Sequence, residues 1–477
     1  MRQILTPGLI VFALAFLVFG FSVNGIWATD HATSFTQLDY AVWHSHSVAL
    51  GDATKLPPWS VDDFTYRGQN YSALAPGTAF LALPVVGPAY DIAGYYTAYG
   101  PVLLASELFV SLMGAISAYL VYKAASTYFR RSTSLFLGFA FAFSTICWPF
   151  ATYFFQSDVS VAFVLLAACF GLRAARSEGP GAVSSLICGL AAGVAFTVDY
   201  INAILLPIFV LFLLASKWKS KTSAALAVGT FVLGVLPSLA ALGAYNYAIF
   251  GNALTTTEQS FLGKSSVFGG FTTPILNGLT LDLLSVSRGL FVFTPLLALG
   301  VVGYIYAFRG KAHRLEMLFF IALFLGILLP YSAWYDPTGG DSFGPRFLLA
   351  AIPFLLLPAG YVVDRLRRKT MWGVYALFFV GALVNGAAGI VSAIPPYTGA
   401  DVSPFFNFIL PRLTSGNLDT WWVGNVGAYW PVASAFVLTL GTVIPVALVA
   451  LVRRREEKVP SGAEPVENPS INAERPS

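Results

Sequence analysis

Charge is what this chain has least of. Only 10% of its 477 residues are Asp, Glu, Lys or Arg, against 57% hydrophobic and 15% aromatic, where a soluble globular chain carries about 25% charged residues. Such a composition excludes an ordinary soluble domain and points to a polytopic membrane protein. Cysteine is nearly as scarce: Cys147, Cys169 and Cys188 all fall within or at the ends of apolar stretches, which argues for small core hydrophobes rather than disulfides or thiolate metal sites. No Gly-rich phosphate loop and no internal repeat is visible, so nothing in the sequence calls for a nucleotide. The net charge of +4 does not signal nucleic acid either, because the basic residues follow the membrane topology and the aromatics beside them are interfacial anchors.

What is abundant is apolar length. Twelve stretches, at about 8–28, 98–122, 133–150, 159–175, 183–198, 201–216, 223–247, 288–308, 315–333, 346–363, 371–393 and 430–452, approach the roughly 20 residues that cross a bilayer as helix. An all-α polytopic fold follows, with residues 1–452 as one transmembrane unit and a polar, Pro-rich tail over 453–477 expected to be disordered. The first stretch lacks a small-residue cleavage site and runs into Thr29, Asp30 and His31, as a retained anchor would.

The scarce charges are sorted. Six clusters, Lys123/Arg130/Arg131, Arg173/Arg176, Lys217/Lys219/Lys221, Arg309/Lys311/Arg314, Arg365/Arg367/Arg368/Lys369 and Arg453/Arg454/Arg455, occupy every second turn, and with Arg2 and the tail they account for 21 of the 27 Lys and Arg. The positive-inside rule places both termini and these clusters in the cytoplasm of a plasma-membrane protein. The opposite face keeps only Lys55, Arg67, Lys264, Arg288, Arg346 and Arg412, which topology does not explain. It also carries the three long connections, 29–97, 248–287 and 394–429, and long loops usually carry function or disorder.

In the first of these loops, Leu38, Val42, His46 and Ala49 form one stripe of a helical pattern over 35–50, with Asp39 and Trp43 on a neighbouring stripe. A carboxylate so placed beside aromatics suits general-base work. Residues 75–91 are apolar but too short and too broken by Pro and Gly to cross, and are expected to lie along the interface. His44 and His46, with Asp39 and Asp52, offer a divalent-metal site only if the segment is extended, since residues two apart on a helix face different sides; no obligatory ion is expected.

Five segments, met in order, resemble the GT-C glycosyltransferases related to dolichyl-phosphate-mannose protein mannosyltransferases. The first is Asp63 through Arg67, Gly68, Tyr71 and Ser72, with Ala75-Pro76-Gly77 and Phe80 to Pro84 behind it. The second is Cys147-Trp148-Pro149-Phe150 with Asp158, and the third Tyr245-Asn246 through Phe250-Gly251. Ser287-Arg288-Gly289-Leu290-Phe291 with Pro295 is the fourth, and Trp334 with Gly339-Gly340-Asp341 and Gly344-Pro345-Arg346-Phe347 the fifth. Together they span about residues 8–365.

The resemblance implies transfer of a sugar from a polyprenyl-phosphate carrier to a glycan, lipid or protein acceptor outside the membrane, by inverting displacement. Such a reaction needs a carboxylate base for the acceptor hydroxyl and cationic donors for the departing lipid phosphate. The base is expected in the first external loop, and Asp39 is the first candidate, with Asp62 and Asp63 as rivals. Asp63 stands equally well as a turn-ordering acid. Asp158 is either a second functional acid or a helix cap, Asp199 a cap, and Glu107 a carboxylate deep in a span that needs a partner or a cavity. Arg346, Arg288, Arg67 and Lys264 are candidates for phosphate, with Tyr71, Trp334 and Asp341 from the matched motifs beside them. A non-catalytic polyprenyl-lipid-binding subunit is the alternative, and a secondary transporter a more distant one, because its ionisable groups would cluster at the bilayer midplane. The enzyme reading demands that Asp39, Arg288 and Arg346 share one outward-facing cavity.

Overall fold

The computed structural model describes residues 7–25, 30–51, 60–93, 99–263, 270–311, 313–427 and 429–458. Among the described residues six helices are long and apolar enough to cross a membrane: Gly100–Ala125, Gln156–Arg176, Lys221–Phe250, Arg314–Ala333, Arg368–Val391 and Trp430–Lys458. The other six apolar stretches fold as shorter or broken helices, and proline explains most of the breaks because it removes a donor and clashes with the preceding turn. The stretch expected at 133–150 is helix only over Arg131–Phe143, with Cys147–Phe150 a separate turn around Pro149. The stretch at 288–308 divides into Leu290–Phe293 and Ala298–Arg309 across Pro295, and that at 346–363 into Ile352–Leu356 and Ala359–Val363 around Pro353 and Pro358. The first helix ends at Ser22 rather than near 28, and the last continues through Lys458, past the boundary read at 452.

The first long loop builds a lid of its own. Helix Asp30–Ser45 starts earlier than its apolar stripe indicated and stops before His46, whose φ of 51° is left-handed. Helix Gly77–Ala93 packs beside it, with Pro84 and Pro88 inside. Between them lies a two-stranded antiparallel hairpin that the all-helical expectation did not contain: Asp63–Tyr66 pairs with Gln69–Ser72. Its two turn residues, Arg67 and Gly68, have φ of 50° and 78°, the double left-handed geometry that matches strand twist in a tight hairpin. Ser34 ties the hairpin to the first lid helix, donating to Asp63 Oδ1 at 2.8 Å.

Both ends of the bundle are fastened by polar contacts. At the basic end, Arg453 donates to the carbonyls of Val363 and Leu366, the latter at 2.5 Å, and Glu456 and Asp364 take the hydroxyls of Ser132 and Thr133. At the other end the 394–429 loop returns to the first helix: Trp421 N–H donates to the Val23 carbonyl at 2.8 Å, and Asn24 bridges Thr420. The cysteines are free, Cys147 and Cys188 being buried.

Candidate functional site

At the end remote from the basic clusters, the helix termini and the lid enclose a cavity of about 700 Å³. Each wall comes from the place where an element starts or stops. Asp30 and His31 open the first lid helix, Asp62 precedes the hairpin, and Phe155 and Gln156 open a spanning helix. Asp199 sits in the turn between two short helices, Tyr331 closes the Arg314–Ala333 helix, and the Trp334–Asp341 loop leads to Arg346. Polar groups gather there because unpaired backbone and charged side chains are tolerated at helix ends and not along them.

Three sets of contacts hold the charged groups. His31 Nδ1 lies 2.6 Å from Asp62 Oδ2. Burial pushes the Asp62 carboxyl up, but the charge and hydrogen bond of His31, with the charge of Arg346, more than cancel this and leave it below the usual carboxylate range. Asp199 accepts the Ile201 N–H at 3.3 Å, the capping role expected of it, and the Tyr331 hydroxyl at 2.5 Å. Its carboxyl is nevertheless raised by burial, which outweighs those bonds and the charges of Arg346 and His31. Burial, with the charge of Asp199 adding to it, pushes Glu258 on the same wall up to about 7.

Arg346 stands among these acids with its guanidinium carbon 5.0 Å from the ring centres of both Phe155 and Phe347. Its Nε is buried without a hydrogen-bond partner, a costly state for a charged donor. Gly339, at φ 69°, leaves it room: a Cβ there would come within 3.0 Å of Nε. Trp334 and Asp341 also line the cavity, Trp334 against Phe271 and Tyr335, and Asp341 accepting the Tyr397 N–H at 2.8 Å.

The other sequence candidates lie elsewhere. Asp39 is 1% exposed, does not line this cavity, and has neither carboxyl oxygen hydrogen-bonded. Burial alone holds it well above the usual range. Arg288 is equally enclosed, and its fork is committed to carbonyls: Nε to Thr338 at 2.8 Å, Nη1 to Ser287 at 3.0 Å and Nη2 to Gly340 at 2.7 Å. The expected meeting of Asp39, Arg288 and Arg346 in one cavity therefore does not occur. Arg288 acts from behind, bracketing Gly339 and so shaping the seat of Arg346.

Asp63 is a hairpin acid outside the cavity wall; burial pushes it up to about 7, the Ser34 bond opposing and the charges of Asp62 and Asp30 adding. Asp158 is fully buried and accepts the Cys147 thiol at 3.3 Å. Glu107 is enclosed against the backbone of Asn24. Tyr71 packs on Phe64, and Arg67 is exposed at the hairpin tip over Tyr66. Lys264, Lys55 and Asp52 lie outside the described residues. Among the described residues no group of three or more His, Cys, Asp or Glu is placed to hold a metal ion.

The comparisons with known proteins agree with this architecture. The family model "Dolichyl-phosphate-mannose-protein mannosyltransferase" matches residues 87–240. ArnT from Cupriavidus metallidurans bound to undecaprenyl phosphate is similar in structure, with a TM-score of 0.53 at 15% identity over 92% of this chain and 76% of that one. The same protein in its apo state gives 0.50 at 14% identity over the same shares. The apo oligosaccharyltransferase of Archaeoglobus fulgidus scores 0.47 at 13% identity, covering 91% of this chain and 60% of its own. No curated protein sequence matches the chain. The fold is that of the GT-C glycosyltransferases, a class of multi-pass membrane proteins, as the motifs implied. Within that class it is residues 87–240, about a third of the chain, that are similar to the dolichyl-phosphate-mannose-protein mannosyltransferase family model.

Proposed function

We propose that the protein transfers a sugar from a polyprenyl-phosphate donor to an acceptor hydroxyl by inverting displacement in the cavity beneath the lid. The observation that carries this reading is Arg346, a guanidinium with a buried unpaired donor facing a wall of carboxylates. Arg suits a phosphate because its planar fork stays charged. As the bond between the anomeric carbon and the phosphate oxygen breaks, charge grows on that oxygen, and a fixed cation beside it stabilises the transition state. The undecaprenyl phosphate bound by ArnT supports a lipid phosphate as the ligand class.

The acceptor hydroxyl must lose its proton as it attacks, and Asp30 is the base in this reading. Asp62 is paired with His31 and depressed, and Asp199 has both oxygens engaged. Asp30 opens the lid helix at the cavity wall, its Oδ1 accepting the Val61 N–H at 3.2 Å. It also lies in the first external loop, where the resemblance implies the catalytic acid, nine residues ahead of Asp39, the residue named there from the sequence. Stabilisation of the departing phosphate falls to side chains here, so the reading assigns no step to an ion. The cavity opens at the end remote from the basic clusters, and this supports a reaction on the extracytoplasmic face.

The test is transfer of a radiolabelled sugar from a synthetic polyprenyl-phosphate donor by the purified full-length protein. Arg346→Ala should abolish turnover while the protein still inserts and folds. Asp30→Asn should lower kcat by about 10²- to 10⁴-fold, the usual contribution of a positioned base. Lipid binding without transfer in the wild type would replace this reading with that of a non-catalytic lipid-binding subunit.

A further inference from the structure

We infer that His31, oriented by Asp62, is a second phosphate-binding residue that shares the lipid-linked phosphate with Arg346. The inference rests on the carrier reading above and adds a ligand to it. Both side chains meet at Phe155: the Arg346 guanidinium carbon lies 5.0 Å from its ring centre and the His31 ring 5.2 Å from it. The imidazole and the guanidinium therefore flank one side chain on one cavity wall. His31 is neither a surface histidine nor a core one, since 17% of its side chain is exposed and that surface is the cavity.

Its hydrogen bonding selects the role. Nδ1 is taken by Asp62 at 2.6 Å, which fixes the ring and leaves Nε2 for the ligand; with Nδ1–H donated to Asp62, Nε2 accepts in the neutral ring and donates to a phosphate in the imidazolium. A carboxylate on the far nitrogen is the arrangement that orients imidazoles toward ligands elsewhere. Asp62 is also coupled to the charge of Arg346, so histidine, carboxylate and guanidinium form one electrostatic unit. On a wall that otherwise carries Asp30, Asp199, Glu258, Asp336 and Asp341, His31 and Arg346 are the basic side chains an anion would meet.

The experiment titrates undecaprenyl phosphate, and separately undecaprenol, into the detergent-solubilised full-length protein. Wild type should bind the phosphate more tightly than the alcohol. His31→Gln and Asp62→Asn should each weaken phosphate binding about tenfold, near 1.4 kcal/mol, and leave undecaprenol binding unchanged, while His31→Arg restores part of the loss. A purely structural role would lower both affinities together, and that result, or phosphate affinity unchanged in His31→Gln, overturns the inference and leaves the carrier reading standing. A wild type that does not distinguish phosphate from alcohol sinks both.

Discussion

Asp30 and Asp39 are nine residues apart on one helix, and that spacing separates their roles. At 100° per residue, nine positions turn a side chain through half a circle, and at 1.5 Å per residue they move it about 13 Å along the axis. One acid therefore reaches the cavity and the other the packed underside of the lid. Asp39→Asn should leave transfer intact, because Asp39 does not line the cavity and the amide has the shape of the carboxyl; loss of activity comparable with Asp30→Asn would return Asp39 to the site. The sequence pointed to Asp39 and passed over Asp30, since Asp39 had the aromatic setting expected of a buried base and the start of the helix was invisible. Arg346 was legible because a lone cation on an acidic face has no topological purpose. Arg288 was equally conspicuous for the same reason, but its three bonds to carbonyls are tertiary and leave no trace in the motif. Arg288→Ala should lower stability by about 2–4 kcal/mol, because bonds to charged groups are worth about 1.5–3 kcal/mol each and the carbonyls lose their partner. A thermal unfolding midpoint equal to wild type would contradict this. Asp63 gives a pH signature instead. Its folded pKa near 7 lies above the ordinary 3.8, so between those values the folded chain keeps a proton that the unfolded chain has released. Stability therefore falls as pH rises through that window and levels off above it. Asp63→Asn should flatten part of this slope in unfolding midpoints taken at about pH 5 and about pH 8.

The helices themselves were largely legible, because a bilayer imposes both length and apolarity on anything that crosses it. Their breaks were less so: Pro149, Pro295, Pro353 and Pro358 each stand where a span is interrupted, yet Pro84, Pro88, Pro237, Pro330 and Pro445 are accommodated inside helices. Whether a proline breaks a helix depends on what lies against the freed carbonyl, which is a tertiary matter. The hairpin had a turn signal in Arg67-Gly68, obscured by the helical character of everything around it. Packing depends on small residues that hydropathy cannot rank. Helices Ala182–Val198 and Lys221–Phe250 touch through Gly189 and Gly234, where a Cβ would fall 1.9 Å from the Phe231 carbonyl and 2.2 Å from that of Leu186. Membrane helices pack closely through such positions. Gly234→Ala should therefore push the pair apart and cost about 1–3 kcal/mol, the range for overpacking. Gly234→Ala with Gly189→Ala should cost less than the two separately, since the first has already parted the backbones. Additive losses in unfolding experiments would show that the helices do not meet through these two glycines.

At the scale of the molecule, the sorting of charge and the position of the cavity are two views of one polarity. The helices Gln156–Arg176, Leu205–Ser216 and Arg314–Ala333 each have a basic residue within or just beyond one end and a cavity residue at or near the other. The clusters left the remote end almost without cations, and in the proposed reading that scarcity is what makes Arg346 effective there, because few other basic side chains compete for an anion. The same polarity predicts how the protein sits. Basic clusters in the cytoplasm would turn Ser45, exposed at the end of the lid helix, outward and Lys219, exposed in the third cluster, inward. In a background with Cys147, Cys169 and Cys188 replaced by Ala, Ser45→Cys in intact cells should react with a membrane-impermeant maleimide and Lys219→Cys only after permeabilisation. The reverse pattern would put the cavity on the cytoplasmic face, where a soluble nucleotide sugar could reach it, and the case for a lipid-carried donor would lose its main topological support.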